Sequence, residues 1–309
     1  MAKYHISSDG NPRVCRASDG KCPLGWGAPH FNSRADARAA FEESAEALAS
    51  SSKKAHIKES VKTNLGYGNV VWETADGKLH REGDKPAAKW ADGTKEWHKN
   101  GKLHRDNDQP AIVKANGTKE WYRNGKLHRD GDQPAYMGVM SGAKIWYQNG
   151  KISRDGDQPA AEWGDGTREW LQNGKLHRDG DLPAVDYPDG TKQWWVNGKP
   201  HRDGDKPAVE EADGTKYWYQ NGKQHRDGGL PAVEYSDGTK EWYRKGNLHR
   251  EGDLPAIERA DGTKEWYQNG KLSREGGPAV ERPDGSKDWW LNGEFQYGIE
   301  SDGTRTNRI

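Results

Sequence analysis

One tryptophan returns through most of this chain at a nearly fixed interval: Trp72, Trp97, Trp121, Trp146, Trp170, Trp194, Trp218, Trp242, Trp266 and Trp289. Nine intervals of 23 to 25 residues separate them, most of them 24. Around each runs a unit of the form D-G-T-K-E-W-Y-x-N-G-K-L-H-R-D-G-D-x-P-A-V-E-x, so that ten copies fill residues 66–298. Self-similarity at such a period means an array in which each unit buries its apolar face against its neighbours. A conventional single-cored fold is thereby excluded for this region.

The units read as β-structure. Asn-Gly pairs such as Asn173-Gly174 and Asn197-Gly198 are two-residue type I′ hairpin signals, because both central residues of that turn need positive φ. The Asp-Gly before each Thr-Lys, as at Asp189-Gly190, predicts a second two-residue turn. Each recurrent Pro, such as Pro183 and Pro207, lacks a ladder donor and is expected to open a strand. The first turn sets Leu171 against Leu176, Trp170 against His177 and Glu169 against Arg178; the second sets Val185 against Trp194. Trp, His and Val then share one face, and Tyr, Leu and a Glu–Arg pair the other. The expected fold is mainly β: an elongated single sheet or solenoid of about ten 24-residue hairpin repeats over 66–309, with a degenerate C-terminal cap at Phe295-Gln296-Tyr297. A small α+β module is expected over 1–65, with helices at Arg34–Ala49 and Lys54–Thr63.

Composition agrees with this array. Only 31% of the 309 residues are hydrophobic, and Phe and Met number 3 each. The 15 Trp and 12 Tyr supply the missing apolar area, since each buried aromatic removes roughly 150–250 Å² from water. Lys plus Arg equals Asp plus Glu at 48. Residues 1–66 hold 10 basic and 7 acidic side chains against 38 and 41 in the rest. Neither part has the basic excess that nucleic acid or an anionic bilayer demands. No apolar run approaches a membrane span, and the polar start MAKYHISSDG lacks a signal-peptide core. The expected place is the cytoplasm of a host bacterium, or a virion.

The unit D-G-T-K-E-W-Y-Q-N-G-K-L-H resembles the MORN repeat, and closer still a variant ending L-H-R-E-D-G-P-A found in bacteriophage and giant-virus proteins. The resemblance covers about three quarters of the chain. It implies a scaffold for protein association. The Gly-x-Gly after His and the early Tyr-x-Gly of standard units are missing, so lipid contact is not carried over. The stretch K-Y-H-I-S…C-R-A-S-D-G-K-C-P-L-G…H-F-N-S-R-A-D-A-R-A-A-F-E is similar to a small module on actinobacterial and actinophage proteins, which implies a phage or its host as source.

Candidate chemistry is sparse. His5, Cys15, Cys22 and His30 offer four zinc ligands of suitable softness, though Cys15-x6-Cys22 is wider than the C-x2–4-C of standard fingers; packed or free thiols are the favoured reading. The periodic His-Arg-Asp/Glu tripeptides come without a nucleotide loop, and Ser153 and Ser273 replace His in two units. They read as an aromatic and ion-pair ladder rather than catalysis. Asp155-Gly156-Asp157 lacks a full calcium-loop pattern and reads as a turn. The fourth residue after each Pro varies (Trp90, Lys114, Trp163, Tyr187, Glu211, Tyr235, Arg259, Arg282), which suggests an exposed recognition face or, equally, surface drift with no role. The fourth unit is irregular: Tyr136, Met137, Val139 and Met140 stand in a segment with one extra residue, expected as a β-bulge and either a partner-docking patch or a decayed repeat with local repacking. The sequence thus predicts a non-enzymatic scaffold that binds another protein, with no cofactor. Glycan or cell-wall binding through exposed aromatics is the alternative, and a virion structural part a third.

Overall fold

The computed structural model describes residues 4–6, 12–14, 36, 38–40 and 60–307. Their architecture is almost wholly β, a meander of antiparallel strand pairs repeated along the chain. Two units are distinguished: residues 1–91 with 97–102, and residues 92–96 with 103–309. In the first, Val61–Gly66 pairs with Asn69–Glu73, which pairs in turn with Ala88–Lys89. The expected helix over 54–63 is therefore corrected at its end: Val61, Lys62 and Thr63 are strand, with Val61 opposite Glu73. Two further short strands, Tyr4–Ile6 and Pro12–Val14, pair with each other, and residues 36 and 38–40 are helical. The rest of the proposed α+β module lies outside the described residues.

The second unit repeats one plan. Around Trp170, strands Ala161–Glu162 and Arg168–Glu169 pair within the main sheet. A separate small hairpin follows, Leu171–Gln172 with Lys175–Leu176, and the chain returns to the main sheet at Val185–Asp186. The small hairpin has the expected register, Leu171 opposite Leu176. Asn173 at φ 52° and Gly174 at φ 80° make its turn type I′.

The Asp-Gly turn differs from expectation. Gly190 has φ 97° while Asp189 has none of the positive φ that a I′ turn needs. The Gly190 N–H donates to the Tyr187 carbonyl, and the Tyr187 N–H to the Thr191 carbonyl. The loop thus has three residues, a type I turn closed by a left-handed glycine. The Asp189 carboxylate caps it by accepting from the Thr191 N–H at 2.8 Å. One extra loop residue moves the register by one. Val185 faces Gln193, not Trp194, so Val shares its face with the residue before Trp and the predicted Trp–Val face is replaced.

The core is thin and repetitive. Ala184, Ala208, Ala232 and Ala256 are fully buried, with Val185, Val233 and Ile257 close behind. Each Ala carbonyl takes a Trp N–H, as in Trp170 to Ala184 at 2.8 Å. The array tryptophans from Trp97 to Trp266 are only 5–8% exposed, as expected of a Trp core. The predicted Glu169–Arg178 pair does not form; Arg178 instead lies 3.8 Å over the Trp170 ring. The same stack recurs from Arg129 on Trp121 to Arg274 on Trp266.

Each such Arg also reaches the preceding repeat. The Arg202 Nε donates to Asp181 Oδ1 at 2.7 Å, and its Nη1 to the Pro207 carbonyl of its own loop. Arg129, Arg154, Arg178, Arg226 and Arg274 bind Asp108, Asp132, Asp157, Asp205 and Asp253 in the same way. The carbonyls of Asp108, Asp132, Asp181, Asp205 and Asp253 receive a Trp indole N–H as well, as in Trp194 Nε1 to Asp181 at 3.1 Å. The chain end follows a different rule. Tyr297 takes the place of the stacking Arg and lies flat on Trp289 at 4.6 Å, with Arg305 over Tyr297 in turn.

These pairings set an acid limit on stability. The Arg202 hydrogen bond, followed by that of Lys206, holds Asp181 down from 3.8 to about 2. Asp108, Asp132, Asp205 and Asp253 are lowered too, each chiefly by its Arg. A depressed carboxylate stabilises the fold above its unfolded value and loses that contribution as pH falls through its folded value. The thermal midpoint is expected to fall as pH drops from 3.8 toward about 2. In Asp181→Asn that fall is shallower, which circular dichroism melts across the range will measure.

Candidate functional site

His104, His128, His177 and His201 hold structure through both ring nitrogens. His177 Nδ1 accepts the Asn197 N–H of the next repeat at 3.2 Å, and its Nε2 faces Asp179 at 3.1 Å. The acceptor role of Nδ1 places the proton on Nε2, where it serves the carboxylate. Asn124 with His104, Asn149 with His128 and Asn221 with His201 repeat the bond. Ser273 makes it with its hydroxyl, accepting from Asn292 at 3.0 Å, and Ser153 does so toward Asn173. The position requires an acceptor, not an imidazole. Between successive loops lies an open recess of about 510 Å³, lined by His201, Arg202, Trp218, Tyr219, His225 and Arg226 among others. The His–Asp and Arg–Asp pairs of its walls are the ones already described.

The variable slot after Pro also has internal partners. Lys114 pairs with Glu120 at 2.7 Å, Arg259 with Glu265 at 2.7 Å and Arg282 with Asp288 at 2.6 Å. Trp163 and Tyr235 stand by the carboxylates of Glu169 and Glu241. In each case the partner is the residue before Trp on the facing strand. The slot side chain thus meets the residue before Trp, although slots as different as Lys114, Trp163, Tyr235 and Arg259 all stand against a Glu. Trp90, Tyr187 and Tyr235 are half-buried, while Trp163 is 38% exposed. The carboxylates on this face are enclosed; burial raises Glu169. Burial beside Glu211 likewise pushes Tyr217 up to about 12.

The fourth unit keeps its register. Tyr136 faces Ile145 and Met137 faces Lys144, and the extra residue enlarges the turn to four residues, Val139–Gly142. The predicted strand bulge is thus a longer loop. Its four candidate side chains divide. Tyr136 packs against the buried Ala143, Ile145 and Ala161, whereas Met137 occupies the opposite face of its strand. Val139 is 62% and Met140 86% exposed. Two glycines fit this loop. A Cβ at Gly138 would lie 2.3 Å from Ser141 Oγ and 3.0 Å from the Tyr136 ring; one at Gly164 would lie 2.1 Å from the Ser141 carbonyl oxygen.

Sequence reasoning missed a pattern on the strand face that Met137 shares. Residues paired across successive strands run Glu162, Arg168, Asp186, Lys192, Glu210, Lys216, Glu234, Lys240, Glu258 and Lys264. Charges alternate at every step. The signal was present in the alternation of T-K-E-W with P-A-V-E, but only the correct register puts Lys and Glu in one row. In five earlier strands the row reads Lys95, Val113, Lys119, Met137, Lys144.

Of the proposed metal ligands, His5 lies in the strand Tyr4–Ile6; Cys15, Cys22 and His30 lie outside the described residues. Among the described residues no group of three His, Cys, Asp or Glu is placed to hold a metal ion. No helix among them is long and apolar enough to cross a membrane.

Two substitutions test these assignments. His177→Leu strands the Asn197 N–H and is expected to cost about 1–3 kcal/mol in denaturant titrations, while His177→Ser costs less than half of that. Gly164→Ala forces a Cβ against backbone and is expected to cost about 1–3 kcal/mol, although the same slot holds Ala212 and Ala260 in later repeats. No protein-family model and no curated protein matches this chain.

Proposed function

We propose that this chain is a non-enzymatic, MORN-like repeat scaffold that binds another protein along its array. The observation that carries this reading is the irregular fourth unit. Its loop presents Val139 and Met140 to solvent, 62% and 86% exposed, and packs at Ser141 against Gly164 of the next loop. Large apolar side chains held out on a regular, otherwise polar surface suit contact with a partner, and methionine adapts to varied surfaces. Leu182, Leu230 and Leu254, each 41–48% exposed in the loop before a Pro, extend apolar contact points along the array. A repeat array offers such points at regular spacing on a long surface. The resemblance of the units to phage and giant-virus repeats supports a bacteriophage source.

Glycan stacking through the array tryptophans has less support, because their rings are buried beneath arginines. The test is affinity capture with the full tagged chain from cells that express it naturally. A specific co-purifying protein is expected, with recovery reduced at least about tenfold by Val139→Glu with Met140→Glu. Capture of no protein, or unchanged recovery by the double variant, overturns the reading.

A further inference from the structure

The charge row of the sheet shows what a partner of this scaffold must carry. From Glu162 to Glu281 each cation of the row stands between two acids on neighbouring strands, as Lys192 does between Asp186 and Glu210. Lys119 has Val113 on one side and Met137 on the other, and Lys95 has Val113. Lys144 keeps only Glu162. The three lysines are exposed and the two apolar residues between them half-exposed. Strands lie about 4.8 Å apart, so the strip covers about 20 Å, with a cation at about every 10 Å.

We propose that Lys95, Val113, Lys119, Met137 and Lys144 form a docking strip for an acidic segment of another protein that carries apolar side chains between its carboxylates. This rests on the scaffold reading and names the chemistry of the partner. The argument is complementarity. From Glu162 to Glu281 the array supplies a Glu or Asp on every second strand; at Val113 and Met137 those acids are replaced by apolar side chains, leaving cations to be matched from outside. Val113 and Met137 give the occupant apolar surface to cover, which a bare polyanion does not use. Val139 and Met140, in the loop that follows Met137, prolong the apolar edge. Opposed charge guides the encounter and fixes register, while apolar burial holds the complex.

The repeat itself furnishes the test variant. Val113→Glu with Met137→Glu rebuilds the alternating row seen at Lys192, Glu210 and Lys216, so the variant is expected to fold, with an unchanged or higher thermal midpoint. The probe is a short fluorescent peptide alternating Glu and Leu, measured by anisotropy against the full chain. Matched peptides alternating Glu with Ser and Lys with Leu serve as references, and single-stranded DNA as a polyanion. Binding of the Glu-Leu peptide is expected, at least about tenfold weaker for the double variant and for the Glu-Ser peptide. No binding of the Glu-Leu peptide, equal binding by the variant, or tighter binding of the DNA overturns the strip. Any of these results beside a partner captured through Val139 and Met140 leaves the scaffold reading standing, so the two fail separately.

Discussion

The structure depends on the arginine that covers each tryptophan. In Arg202 one guanidinium lies 3.6 Å over the Trp194 ring, binds Asp181 of the preceding loop and donates to the Pro207 carbonyl of its own. A planar group with several fixed donors can do all three at once; a lysine ammonium cannot. The stack shields the indole, the carboxylate ties the loop to its predecessor, and the carbonyl bond sets the loop's curvature. Trp and Arg thus join each repeat to the one before it. The array closes where this arrangement is replaced. At Trp289 an aromatic ring, Tyr297, takes the arginine's place, and the strands Lys287–Leu291 and Glu294–Ile299 run through without a separate small hairpin.

This interaction explains how so little aliphatic material suffices. The apolar core is an Ala, Val and Trp layer one repeat deep, and polar groups at its border are consumed by neighbouring repeats. The Gly198 N–H goes to the Leu176 carbonyl, the Asn197 N–H to His177, and the Ala212 N–H to the Thr191 hydroxyl. Each bond joins one unit to the next, so the ladder of bonds has the period of the sequence. The zero net charge is likewise local: its cations and anions are in large part set against each other across strands and loops. Where Gly229 removes the loop carboxylate, Arg250 retains its stack on Trp242 and its bonds to Pro255 and Glu258. A repeat can lose one contact and keep the rest.

Sequence reasoning reached what one turn decides and failed where two turns of similar composition differ. Asn173-Gly174 has both residues at positive φ, and the register read from it is the observed one. Asp189-Gly190 has the same appearance, yet the aspartate side chain caps its own turn through Thr191, and only the glycine is left-handed. That single residue reversed which side chains share a face and hid the Lys–Glu row. The slot after Pro was read as an exposed recognition face because it varies; that it meets the residue before Trp, as Arg259 meets Glu265, becomes visible only in the correct register. The helix expected up to Thr63 was set aside by strand pairing: Val61–Gly66 finds a partner in Asn69–Glu73 across the turn at Tyr67-Gly68, and tertiary pairing overrides local preference.

The fourth unit bears on whether irregularity in a repeat is decay or specification. A residue inserted by drift would be expected to disturb the strands on either side. Here Tyr136 and Met137 keep their partners, and the Gly138 N–H still closes the turn on the Ala143 carbonyl. The loop is accommodated by glycine at Gly138, where the ring of Tyr136 and the hydroxyl of Ser141 leave no room, and at Gly164 in the next repeat, against the Ser141 carbonyl. Matched changes in two repeats, with Met137 and Val113 in place of the row's acids, make one continuous alteration of a single surface. Its effect is to remove carboxylates from one side of the sheet and to raise apolar side chains beside the lysines that remain. Stability of the array does not require this, since the later repeats manage without it. An alteration confined to the surface, and compensated where it touches the backbone, has the form expected of a contact made with something outside the chain.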